Sequence, residues 1–201
     1  MGFIIKVRLY DIINEVSRTI TIPDNISFKR LSDIIRIVFG WPKDELHYFV
    51  FIDDKKIITN DLKMYQNMTF STSNLKIYRS QNILISKYLT KHNNFLYYWS
   101  DNNMVWEHEI TLISNKENNN LSYPQIISFV GENVIDMTKD VAYHNELSYY
   151  INNNLDDFQN EELKKLIKNS RHYFNLNLTN LLLRDNFFQK TLRQIKKENE
   201  I

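Results

Sequence analysis

The chain has 201 residues, 43% apolar and 13% aromatic, and its 25 Lys and Arg against 24 Asp and Glu leave a formal net charge of +1. That is enough apolar material for one full core, since domains run to roughly 100–200 residues. The near-balance of charge argues against a global field for DNA, RNA or an anionic membrane, leaving only local basic faces. With no cysteine, disulfides, thiolate nucleophiles and cysteine-ligated zinc are excluded.

The N-terminus alternates apolar and charged residues and lacks the continuous hydrophobic region of a signal peptide. No segment approaches the roughly 20 apolar residues of a membrane span. The expectation is a soluble cytoplasmic protein with no membrane partner. Phe3, Ile5, Val7 and Leu9 share one face of a strand, and after a turn at Asp11–Asn14 a second run puts Val16, Ile20 and Ile22 on one face. This period of two predicts an antiparallel pair with one buried side. Arg18 falls on that apolar side, so its guanidinium has to meet a carboxylate or escape at the sheet rim, and the rim is the expectation.

Pro23-Asp24 ends the strand and Ser27 is placed to cap a helix carrying Phe28, Leu31, Ile34, Ile35 and Val38 at helical spacing, closed by Gly40. Trp41-Pro42 turns the chain into a strand, Leu46–Ile52, which reads as apolar on both faces and therefore interior to the sheet or covered on both sides. Asp53-Asp54-Lys55 reads as a turn. Residues 54–94 are the least legible: Ile57-Ile58, Met64-Tyr65 and Leu75–Tyr78 suggest short strands, and Ile83–Leu89 fits strand or helix. Phe95–Trp99 and Met104–Ile113 form a hairpin across an Asp/Asn turn, and Tyr123–Val130 is extended. Beyond it the pattern is helical. Asn160 can cap a helix with Phe158, Leu163, Leu166 and Ile167 as its apolar face, and a last helix, about Leu178 to Lys197, has Leu178, Leu181, Leu182, Phe188, Leu192 and Ile195 as its expected buried stripe. The expected organisation is a core over residues 1–150 with helices of residues 151–201 packed on it.

Strand parity puts His108 beside Trp106 and Ile110 on the core side, and His47 alternates with Phe49 and Phe51 in the same way. A core histidine holding one hydrogen bond is the plain reading of each. A second reading lets His47, Asp101, His108 and Asp136 converge as two imidazoles and two carboxylates, a set suited to zinc, manganese or iron, or lets His47, Asp101 and His108 work as acid and base. No short chelating motif joins them, and with three glycines the chain has no P-loop, dinucleotide fingerprint or nucleophile elbow. No metal or other cofactor is expected. The basic runs Lys164–His172 and Lys190–Lys197 read as solvated helix faces.

Arg18 in the hairpin, Gly40-Trp41 at the helix end, Leu46-His47-Tyr48-Phe49, Asp101, Trp106-Glu107-His108, Tyr123-Pro124 and Phe174-Asn175-Leu176 with Asn180 follow one another as in the Ri-plasmid open-reading-frame-three-like family, which the chain resembles over most of residues 3–183. Ser17 stands where that pattern has tryptophan, Glu45 where it often has histidine, Ser100 where it has tyrosine, Asn102-Asn103-Met104 where it has Phe-Gly-Asp, and Asn133-Val134-Ile135-Asp136 keeps only the last acid of Pro-Pro-Glu-Asp. The resemblance implies an α+β domain, an antiparallel sheet packed against helices, with Arg18, Trp41, Trp106 and Asp136 as binding positions. It implies an association with plasmids and insertion elements and assigns no reaction. The expected role is a binding or interaction module accessory to mobile DNA, with a protein or a nucleic acid as partner.

Overall fold

The alternation at the start of the chain builds a hairpin, β1 (Gly2–Leu9) and β2 (Ser17–Pro23), paired antiparallel with Phe3, Ile5, Val7 and Leu9 buried beside Ile20 and Ile22. Further strands are β3 (Leu46–Phe51), β4 (Lys56–Thr59), β5 (Lys76–Arg79), β6 (Asn94–Ser100), β7 (Val105–Lys116) and β8 (Gln125–Val130). The computed structural model describes residues 2–42, 46–63, 75–100, 104–116, 122–134, 140–153, 161 and 174–198. The strands form one eight-stranded sheet in the order β5-β4-β3-β6-β7-β1-β2-β8. Every pairing is antiparallel except β4–β5, which is parallel, so the sheet is mixed rather than purely antiparallel.

Helix α1 (Phe28–Phe39) begins where the Ser27 hydroxyl accepts the Arg30 N–H at 3.2 Å. It ends at Gly40, whose φ of 73° is a left-handed backbone that glycine adopts without a Cβ penalty. There the N–H groups of Gly40 and Trp41 bond the carbonyls of Ile37 and Arg36, which fixes the direction in which Trp41 leaves the helix. Phe28 sets the packing of α1 on the sheet, its ring lying edge-on to Phe49 at 4.9 Å and to Phe51 at 5.8 Å.

Three more α-helices follow among the described residues: α2 (Ser86–Leu89), α3 (Val141–Asn153) and α4 (Leu176–Glu198). All pack on the α1 side of the sheet. In α2, Tyr88 meets Phe28 and Phe51; in α3, His144 meets Trp106; and α4 receives Arg30 of α1 on the carbonyls of Asn186 and Phe187. The architecture is α+β, one sheet with its described helices gathered on one face. Among the described residues no helix is long and apolar enough to cross a membrane.

Two further expectations change, one helix has no counterpart among them, and two expectations lie outside the described residues. β3 lies inside the sheet, between β4 and β6, but only its His47, Phe49 and Phe51 side is buried, and Ile52 is 70% exposed in the following turn. The face of α4 that packs inward carries Thr179 and Leu183, with Leu176 and Phe187 partly buried, while Leu178, Leu181, Leu182 and Phe188 are exposed. That inward face is held by polar contacts as much as by leucines, which is why apolar spacing alone picked the wrong side. α3 lacks a strong apolar stripe and has no counterpart in the sequence reading. The helix expected from Asn160 falls almost wholly on residues outside those described, as does Met64-Tyr65.

Candidate functional site

Trp41 is the centre of an aromatic cluster between α1 and the inner face of β6 and β7. Its indole stacks on Trp99 (centroids 5.0 Å, 8°) and on Trp106 (5.2 Å, 25°), residues that face each other in register on the hairpin. His108, two residues along β7 and therefore on the same side, takes the Trp41 indole N–H on Nε2 at 3.2 Å and lies edge-on to Phe39 at 5.0 Å. An indole nitrogen only donates, so Nε2 must carry the lone pair and the ring is neutral with its proton on Nδ1. Nδ1 lies beside the backbone of Tyr97 and Trp106 without closing a hydrogen bond of normal geometry. The ring is wholly enclosed, and that burial pushes its pKa down to about 3.

His47 is equally enclosed but occupied elsewhere. Its Nε2 pairs with the Ser80 hydroxyl at 3.0 Å, and its backbone N–H meets the Asn60 side chain at 2.9 Å. In register it lies opposite Trp99, while His108 lies opposite Tyr97, so β6 separates the two imidazoles, roughly 10 Å across two strand spacings. The partners of their Nε2 atoms, Ser80 and Trp41, are different residues. Asp101 and Asp136 fall outside the described residues, and among those described no three His, Asp or Glu side chains are placed to hold a metal ion. A third buried histidine, His144, was missed in the sequence. Its Nε2 pairs with Ser148 Oγ at 3.2 Å, its ring meets Trp106 edge-on, and burial pushes its pKa down to about 4.

Arg18 is fully buried, so a surface escape does not describe it, and among the described residues no carboxylate bonds it directly. Its Nη1 donates to the carbonyls of Ser17, Val130 and Gly131 at 2.8, 2.8 and 3.0 Å, and Nη2 donates to Asn133 Oδ1 at 3.1 Å. Gly131, at φ 69°, has to be glycine here, because a Cβ would meet the Glu15 carbonyl at 2.4 Å. Phe174 closes the lid: its ring centroid is 4.0 Å from the guanidinium carbon, and its N–H bonds the Glu132 carboxylate. Burial lowers the Arg18 pKa to about 10, and the nearby Glu132 charge opposes that shift. Just beyond, Asn175 Oδ1 accepts the Leu178 N–H at 2.9 Å and caps α4, and the Asn180 carboxamide bonds both the N–H and the carbonyl of Ile126 on the edge strand.

A family model described as plasmid pRiA4b ORF-3-like protein matches residues 1–181. The chain belongs to that family. No curated protein matches it. Among solved structures it is similar to a protein of unknown function, MM3350 from Methanosarcina mazei Go1, at 18% identity and a TM-score of 0.66, over 88% of this chain and 96% of that one. At that identity the likeness is one of fold. The positions by which the sequence resembles the pRiA4b ORF-3-like pattern are thus mostly packing positions: Trp41, Trp106 and His108 build the aromatic cluster, and Arg18, Phe174 and Asn180 tie α4 to β2 and β8.

Outside these enclosed groups, the protein has an open cleft of about 550 Å³ between the end of α1 and α4. The α1 side supplies Arg36, Ile37, Gly40 and Trp41. The α4 side supplies Leu182, Asp185, Asn186 and Gln189. Of these, the sequence reading singled out only Trp41 as a binding position. Arg36, in the last turn of an amphipathic helix, was not singled out at all. The one usable signal was its position four residues before Gly40, which aims it across the helix end.

Proposed function

We propose that this protein is a non-enzymatic binding module, accessory to mobile DNA, whose contact site is the α1–α4 cleft. One observation carries the reading: the imidazoles that acid–base or metal chemistry would use are sealed and engaged within the fold, whereas the cleft holds unspent polar groups in the open. His108 can neither gain a proton near neutral pH nor offer Nε2 to a metal without losing Trp41. A cleft of this size lies in the usual range for ligand sites. The link to mobile DNA is supported by the family description, which names a plasmid.

The test is affinity capture from the host with the native sequence, Leu182→Glu and His47→Gln. A protein partner retained by His47→Gln and lost by Leu182→Glu is the expected result. A mobility shift that weakens steeply with salt identifies nucleic acid as the partner instead. Turnover of any substrate that disappears in a folded His108→Gln variant overturns the module reading.

A further inference from the structure

Arg36 is the charged group most exposed to the question of what the cleft takes. Among the described residues its hydrogen bonding is confined to Nη1, which donates to the Trp41 carbonyl at 3.2 Å, and its Nε is buried without a partner. A guanidinium has five N–H donors in a planar fork suited to a carboxylate, so most of this one is unspent. Across the cleft, the side-chain amides of Asn186 and Gln189 have no partner among the described residues, and the Asp185 carboxylate has only a long 3.5 Å contact to Arg184, its sequence neighbour. Ile37, half-exposed Leu182 and Trp41 provide the apolar surface between them.

These groups carry one positive and one negative charge. A phosphate dianion meets the Arg36 fork but is repelled by Asp185, and a neutral ligand leaves both charges unmatched. We infer that the α1–α4 cleft binds a small zwitterion with an apolar body, an amino acid or short peptide, with its carboxylate on Arg36 and its ammonium group on Asp185. The inference rests on the binding-module reading and names the ligand class of the same cleft. The carboxylate takes the Nη groups of Arg36, the end of the guanidinium not enclosed like Nε. The two carboxamides serve whatever amide or polar atoms lie between the ends, and the apolar body covers Leu182 and Ile37.

The experiment is a titration of the full-length chain, labelled with nitrogen-15, by tryptophan, leucine and the dipeptide Leu-Leu, each beside its N-acetyl and its carboxamide form. Saturable shifts at the amides of Gly40 and Asn186 are expected for the zwitterions, with either blocked form about 10-fold weaker or more. Free amino acid against dipeptide separates the two sources. Arg36→Gln is expected to lose about 10-fold in affinity. In Asp185→Asn, a change on an exposed helix position that leaves the fold intact, the N-acetyl form should bind as well as its parent. No saturable shift up to about 10 mM, well above a millimolar dissociation constant, overturns the inference, as does equal binding of blocked and free forms. If that happens while Leu182→Glu still releases a captured protein partner, the module reading stands without this ligand.

Discussion

His108 shows how one residue can look like chemistry and be architecture. A histidine between Trp106 and Ile110 on a strand, with an acid nearby in sequence, has the composition of a catalytic site. Its surroundings decide otherwise: the Trp41 N–H fills Nε2, and rings close around the rest. Burial holds the neutral form of both His108 and His144, with folded pKa values of about 3 and 4 against an ordinary 6.5. The unfolded chain therefore binds more protons than the folded one between those values. Stability should be complete above pH 6.5 and fall as pH drops toward 4, by up to about 1.4 kcal/mol per pH unit for each histidine. Urea unfolding at pH 7, 5.5 and 4.5 measures the slope, and a folded His144→Gln variant should show a shallower one. A midpoint that is flat across this range contradicts the enclosed, uncharged rings.

At the scale of elements, the legibility of the sequence followed the strength of each element's pattern. β1, β2 and α1 came out near their observed limits because alternation, an N-cap serine and a C-terminal glycine all pointed one way. α3 did not, because among its residues whose burial is described the buried ones are His144 and Leu147, not a stripe of aliphatics. Its cap was there to read: Asp140 Oδ1 accepts the Tyr143 N–H at 2.7 Å. α4 was read at the right place on the wrong side. Its orientation is set by Asn180, which completes the open edge of β8, so Leu178, Leu181 and Leu182 face outward while Leu183 packs inward. Asn180→Ala should cost about 1–3 kcal/mol, since both Ile126 backbone groups lose their partner, whereas Leu181→Ala, at an exposed position, should change stability by under about 0.5 kcal/mol. Thermal or urea unfolding of the two variants checks the ranking, and the reverse order would mean that α4 is turned as its apolar spacing suggests.

The whole molecule is a broad sheet whose described helices gather on one face, and its order places β6 and β7 in the middle with β5 and β8 at the margins. The central pair also carries Trp99, Trp106 and His108, so backbone pairing and side-chain packing reinforce each other there. Amide exchange should be slowest in β6, β7 and the adjoining β1, and fastest in β5, a four-residue margin strand with exposed Lys76 and Arg79. Uniform protection across all eight strands would contradict this gradient. The α+β class was legible because the family resemblance implied it and many weak alternations along the chain agreed with it. The cleft could not, because it arises from two helix surfaces separated by more than a hundred residues, and neither surface is unusual alone.

The enclosure of Arg18 also bears on how the protein is made. Its hairpin is synthesised early, yet the carbonyls of Val130 and Gly131 that accept its protons lie 112 and 113 residues further on, and the Phe174 ring comes later still. At roughly 5–20 residues added per second, the nascent chain holds an arginine among its first core residues for on the order of ten seconds before any native acceptor on β8 exists. β1 and β2 therefore cannot settle into their final packing as they emerge. Enclosure of the Arg18 cation is therefore a late step, possible only once the strand and the segment that complete its surroundings have left the ribosome.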